Sequence, residues 1–521
     1  MNKKSITFVI TNLNYCHMRK NYFKFLIFSL FVVVSCTDDS NIDVEKTTIN
    51  FDETLLSTKL INRAINESVQ ATGRFYWKDA SLQMLWSATQ HGNKLVTIGF
   101  GTDKEDFDKS KSPKSSEIES ELLNLIANSE KLEIHKIVVY KDEFLNIFDV
   151  VITKQETLEL LRKNQKIRYV EPADYKYFQY ETENNTYKSS SSGSSGCGFD
   201  TATLSTSDYT TVTPNAKAPW TFYKHNIPTA WNYSSGAGIT VGVIDTGISP
   251  SQVLMGSSFN NGLSSGRTIQ KYGTYVDSIW PWSSSTDGPN DQCGHGTSMA
   301  STVGAPRNNT GMPVGVAYNS NLITYRAASN VVLDGYHEQK GVQNAFTGLG
   351  NNSNVKIISM SMGHIFSVGR IEDGVRYANN RGKLIFCAGG TSTSFTTFVG
   401  VIFPAWMSET VAITGLKDTT SYQKCNVCHT GSEIDFTVVM ERSSTGNTSP
   451  VLSYYTNQAN YVGGSSVATA TTAGIAALVW AKHPTWTKDQ VFTKMKQSAA
   501  YYPTKNSQFG YGNVNALLAV Q

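Results

Sequence analysis

No stretch of this chain approaches the ~20 consecutive apolar residues of a membrane-spanning helix, so none is predicted. Charge of one sign is also scarce. Lys and Arg number 45 against 42 Asp and Glu, a net charge of +3, too small for a nucleic-acid footprint. No internal repeat is evident. Cysteines are few, seven in 521 residues. Cys16 and Cys36 lie near the start; Cys197, Cys293, Cys387, Cys425 and Cys428 remain, an odd number. In an exported protein some would pair and at least one would stay a thiol. Cys387, inside the apolar run LIFCA, is the expected buried thiol. With 40% hydrophobic and 17% charged residues, the composition is that of a globular protein long enough for several domains.

The N-terminus reads as a signal. Residues 18–24 are basic, and 25–34 are apolar but for Ser29. That is the layout of a secretory signal over 1–35, with Met18 a candidate start because 3–15 adds nothing a signal needs. The V-V-S-C ending at Cys36 resembles a bacterial lipoprotein signal. The resemblance implies cleavage before Cys36, lipidation of its sulfur and an anchor on the bacterial envelope or cell surface. Release after maturation is the other outcome. The polar TDDSN that follows fits a tether, and 36–93 is otherwise unassigned apart from a helix at 81–90 stopped by Gly92.

A pattern then begins. Residues 94–100 read as a strand. Ser116-x-x-Glu119 reads as a capping box opening a helix, 132–140 and 144–152 as strands, Thr153-x-x-Glu156 as a second capping box, and 167–170 as a last strand. The order β-α-β-β-α-β predicts a small α+β, ferredoxin-like domain at 94–180. Residues 181–198 form a Ser/Gly-rich linker. From 199 to 521, apolar strands at 239–244, 322–325, 355–360, 384–388 and 411–414 alternate with helical patterns at 341–349, 370–380, 466–482 and 487–498. Such alternation predicts an α/β fold with a mostly parallel, doubly wound sheet. The 466–482 helix shows no polar stripe and is expected to be buried all round.

Three residues stand where chemistry could occur. Asp245 follows the strand ITVGVI, at the end where parallel sheets place their sites. His295 is framed by glycines in CGHGTS, ahead of a helical pattern. Ser466, with Ser465 beside it, opens the small-residue helix, where unpaired N–H groups favour negative charge. The triplet Asp245-Thr-Gly also occurs in aspartic peptidases, but that chemistry needs two carboxylates, and no second such triplet exists. Together the three supply a carboxylate, a base and a nucleophile in the order Asp, His, Ser.

The stretches VGVIDTGIS, CGHGTSMAST and GGSSVATATTAG resemble the three active-site boxes of subtilisin-like serine peptidases. The resemblance runs from about residue 218 to the end, and the segment ending YVEPADY resembles that family's prodomain. It implies a serine endopeptidase made as a self-processing zymogen, with its own prodomain as chaperone and inhibitor. Protein or peptide substrates are implied, and no cofactor for the chemistry. It implies that Ser466 attacks the carbonyl, His295 moves the proton and Asp245 orients His295. It also implies that Ser361, Met362 and Gly363 pair with extended substrate.

Two features depart from the pattern. Where the family has the oxyanion asparagine, Ala388-Gly389-Gly390-Thr391 stands. Thr391, Ser392 or a backbone N–H must then help the Ser466 N–H; otherwise the protein is a catalytically impaired binder. Cys425-Asn-Val-Cys428-His429 matches the c-type haem attachment pattern, though a local disulfide is the expected reading. Asn308–Gly311 loosely resembles a family calcium loop, and structural calcium stays unassigned.

Overall fold

A computed structural model describes residues 55–184, 196–392 and 399–521. The signal-like segment, Cys36 and most of the Ser/Gly stretch lie outside those residues.

The N-terminal layer comprises α1 (Thr58–Thr72), α2 (Leu82–His91), β1 (Leu95–Phe100), α3 (Ser115–Glu130), β2 (Val138–Lys141), β3 (Ile147–Val151), α4 (Gln155–Lys163), β4 (Ile167–Pro172) and α5 (Tyr177–Asn184). Its strands pair antiparallel in the order β2-β3-β1-β4. α3 sets Ile118, Leu122 and Ile126 into the core at four-residue spacing. α1 does the same with Ile61, Ile65 and Val69, a helix the sequence reading left unassigned. Neither expected capping box forms. α3 starts at Ser115 without a side-chain cap, because Glu119 is drawn to Lys109 and Lys141. Thr153 bonds to Glu130 instead of capping α4. The predicted strand 132–140 opens as a helical turn, Ile134–Ile137, and only Val138–Lys141 pairs.

The second layer holds β5 (Thr240–Asp245), β6 (Ile269–Gly273), β7 (Asn321–Arg326), β8 (Val355–Met360), β9 (Leu384–Ala388), β10 (Val411–Lys417) and β11 (Ile434–Glu441). They form one parallel sheet in the order β11-β10-β9-β8-β5-β7-β6. Both faces are covered. α7 (Tyr336–Asn351) and α8 (Gly369–Asn380) bury Ile244, Ile358, Ile385 and Ala412. α6 (His295–Gly304), α9 (Gly464–Lys482) and α10 (Lys488–Gln497) bury Val243, Ile357, Phe386 and Ile413. Successive residues thus face opposite cores, the two-residue period of a strand. Against expectation, α9 is apolar and long enough to cross a bilayer, but 89% of that window is buried in the protein.

The N-terminal layer rests on α7 and α8 through buried charge. Arg168 meets Asp373 at 2.6 Å and Arg370 meets Asp149 at 3.1 Å, all four nearly inaccessible. Tyr336 Oη donates to Asp149 at 2.7 Å. Disulfides join Cys197 to Cys293 and Cys425 to Cys428, and Cys387 is a buried thiol.

Candidate active site

β5 lies between β8 and β7, so the strand order reverses there and a crevice opens at its C-terminal end. Asp245 is its last residue. The chain turns away through Gly247, at φ +102°, where a Cβ would stand 2.5 Å from the Pro289 carbonyl oxygen. His295 is the first residue of α6. Gly296 beside it lets the helix lie against that turn, since a Cβ there would meet Gly247 O at 2.4 Å. These approaches bring His295 Nδ1 to 2.7 Å from Asp245 Oδ1, which also accepts the Thr246 N–H at 2.8 Å. Both residues are buried. Burial works against the imidazolium, but the charge and hydrogen bond of Asp245 outweigh it, and the His295 pKa lies above its ordinary value. With Nδ1 on the carboxylate, Nε2 is the nitrogen free to take a proton.

Asp291 holds this arrangement, and the sequence reading missed it. Its Oδ1 accepts from Thr246 Oγ1, Cys293 N and Gly294 N, and its Oδ2 from Thr297 N and Oγ1. Thr246 Oγ1 in turn accepts the Gly296 N–H at 2.8 Å. One buried carboxylate thereby ties the end of β5 to the start of α6. The only local signal was an aspartate four residues before a histidine at a helix start.

Ser466 is the third residue of α9, after the N-cap Gly463, and no side chain caps the helix. Its N–H is among those without an intrahelical partner. α9 packs against α6. Ser466 lines a small cleft of about 60 Å³ together with Ser361, Met362, Gly363, Gly390 and Thr391. Ser361 Oγ donates to the Ser466 carbonyl at 3.0 Å. Gly363 already has both backbone groups engaged, its N–H on Val331 O and its carbonyl on Leu333 N–H. Phe178, from α5, lines the same cleft and packs edge-on against His364. The N–H groups of Phe178 and Gln179 donate to the two oxygens of Asp334 at 2.8 and 2.9 Å, fixing α5 there.

The haem reading fails on geometry. The sulfurs of Cys425 and Cys428 are bonded to each other. His429 is buried, with Nδ1 on Gly400 O and Nε2 on Ser392 Oγ. At Asn308–Gly311 the Asn308 side-chain oxygen accepts from Thr310 N and Oγ1, a local turn.

A model of the Subtilase family matches residues 236–512. Over 319 residues the chain is 30% identical to a thermostable alkaline protease of Halalkalibacterium halodurans, spanning 60% of this chain and 75% of that one. It is 28% identical over 304 residues to subtilisin BL of Lederbergia lenta, spanning 58% and 98%. Subtilisin E of Bacillus subtilis matches at 28% over 287 residues, spanning 55% and 67%. The solved structure of MycP1 from Mycobacterium smegmatis aligns with 62% of this chain and 89% of its own, at 18% identity and a TM-score of 0.45.

Proposed function

The chain belongs to the subtilase family and is a serine endopeptidase, and on that premise we propose that Asp245, His295 and Ser466 carry the hydrolysis. Ser466 Oγ attacks the scissile carbonyl while His295 Nε2 takes its proton. His295 then protonates the leaving amine, and water hydrolyses the acyl-enzyme by the same route. Asp245 keeps the proton on Nδ1 and stabilises the imidazolium. The developing oxyanion meets the Ser466 N–H at the positive end of α9. The observation that carries this reading is the 2.7 Å bond between Asp245 and His295 at the start of α6, the helix packed on α9, whose uncapped start carries Ser466.

A fluorophosphonate should label the full-length protein, and Ser466→Ala should abolish labelling and self-cleavage. Labelling that survives this substitution removes Ser466 from the mechanism. A wild-type chain that neither labels nor processes itself would favour a binding role.

The second part of the proposal is a zymogen. The N-terminal layer, including the 94–180 segment, acts as chaperone and inhibitor, and the chain cuts itself within 181–198 ahead of Cys197, whose disulfide to Cys293 keeps that residue with the 199–521 peptidase. Phe178 in the cleft supports inhibition. Ser361, Met362 and Gly363 take the substrate backbone once the 331–333 segment yields its pairing with Gly363. Export through 1–35 and lipidation at Cys36 complete the proposal, supported by two disulfides that need an oxidising compartment.

A further inference from the structure

Acyl transfer at Ser466 needs a second donor for the oxyanion beside the Ser466 N–H. Gly390 offers no side chain. We infer that Thr391 Oγ1 is that donor, an inference that rests on Ser466 being the nucleophile.

Position 390 has no room for any side chain. Gly390 has φ +126°, and a Cβ there would stand 2.5 Å from His429 Nδ1 and 3.1 Å from Ile402 Cγ2. His429 itself is held on every side. Its N–H donates to Gly390 O at 3.0 Å, its carbonyl accepts from Thr414 Oγ1, and Nδ1 faces Gly400 O at 2.8 Å. The Cys425–Cys428 bond closes the loop just before it. The CNVCH motif therefore fills the place where an oxyanion side chain would stand.

Counting protons then separates Thr391 from Ser392. Burial holds the His429 pKa down to about 4, so its ring is neutral at working pH. A carbonyl cannot donate, so the ring proton sits on Nδ1 and Nε2 is an acceptor. Ser392 Oγ, 3.0 Å from Nε2, must donate to it. Its hydroxyl proton is thus committed, and its N–H is committed to Val427 O at 2.6 Å. The Gly389 N–H goes to Ile413 O and the Gly390 N–H to Ser465 Oγ at 3.2 Å.

Thr391 Oγ1 lies 3.0 Å from Ser465 Oγ. Ser465 is 1% exposed, and among the described residues Thr391 is the one acceptor in reach of its proton. A buried hydroxyl keeps its proton bonded, so Ser465 donates and Thr391 accepts. The Thr391 proton is left to face the cleft that Thr391 and Ser466 share. The hydroxyl also lies against the first turn of α9, 2.9 Å from where a Cβ on Gly464 would be. The donors run from Gly390 N–H through Ser465 and Thr391 to the oxyanion, each bond polarising the next.

The test uses the full-length chain, followed through self-cleavage and then through hydrolysis of a chromogenic peptide. End-point fluorophosphonate labelling counts folded, competent enzyme in each variant. Thr391→Ala and the isosteric Thr391→Val should slow self-cleavage and lower kcat roughly 10²-fold with KM little changed. Thr391→Ser should restore most of that loss, and Ser392→Ala should cost far less than Thr391→Val. Wild-type kcat in Thr391→Val overturns the inference, as does a Thr391→Ser variant as slow as Thr391→Ala. A loss in Ser392→Ala equal to that of Thr391→Val overturns it too. Ser466→Ala separates the two claims. If it abolishes labelling while Thr391→Val stays fast, only the donor is wrong. If labelling persists, the nucleophile is wrong as well.

Discussion

Asp245 commits Oδ1 to two donors, while Oδ2 is buried with no partner among the described residues. The charge this keeps beside His295 is what raises the imidazole pKa against burial. As the proposed base, His295 works when neutral, so activity should be lost as pH falls through that raised pKa. Asp245→Asn removes the charge, and the acid limb of kcat/KM should move to lower pH while kcat falls roughly 10⁴-fold. A pH–rate profile of the variant checks both, and an unmoved limb would assign it to another group. At this scale Asp245, His295 and Ser466 could be read as candidates because their neighbours are constrained. The glycines at 247 and 296 stand where backbones touch, so the boxes around them are readable one residue at a time. Asp291 was not legible, because four of its five donors are local and the one that ties β5 to α6, Thr246 Oγ1, is 45 residues away.

α9 shows what an element's composition records. Its small residues let it lie close to its surroundings, closest at Gly474, where a Cβ would stand 2.5 Å from Val316 Cβ. In an open helix glycine to alanine would gain about 1 kcal/mol. Here the overlap should dominate, and Gly474→Ala should destabilise the protein by roughly 1–3 kcal/mol. Denaturant unfolding of the Ser466→Ala background, which cannot digest itself, measures this; a more stable variant would show looser packing. The central strands were legible because both their faces are buried, which makes them apolar throughout. β6 and β11, at the sheet edges, were missed; β6 alternates half-buried with exposed residues and carries no such run. The two capping boxes misled because tertiary partners, Lys109 and Lys141 for Glu119 and Glu130 for Thr153, outbid a local bond worth about 1 kcal/mol.

Across the whole molecule, the junction between the two layers is sensitive to pH. Burial is the main force pushing the Glu171 pKa up to about 8; Glu372 and Asp373 add to it and the Gly369 N–H opposes it. Burial likewise lifts Asp334 to about 7, opposed by the Phe178 and Gln179 N–H groups. Freed from the junction, both return toward the ordinary carboxylate range near about 4. Docking of the N-terminal layer therefore takes up protons. Its affinity is greatest below about pH 4 and weakens as pH rises toward about 8. After self-cleavage, the N-terminal fragment should leave faster at pH 8 than at pH 5, measured by gel filtration of the cut complex. Equal rates would locate the controlling charges elsewhere. The sequence by itself determined the α/β class, the buried helix and the three candidate catalytic positions, since these follow from burial patterns and from backbone demands among neighbours. Only the tertiary structure decided that α5 enters the cleft, that Cys197 meets Cys293, that His429 closes position 390 and that Thr391 rather than Ser392 has a proton to give. Each of those depends on atoms from distant parts of the chain meeting within bonding distance, which no local pattern encodes.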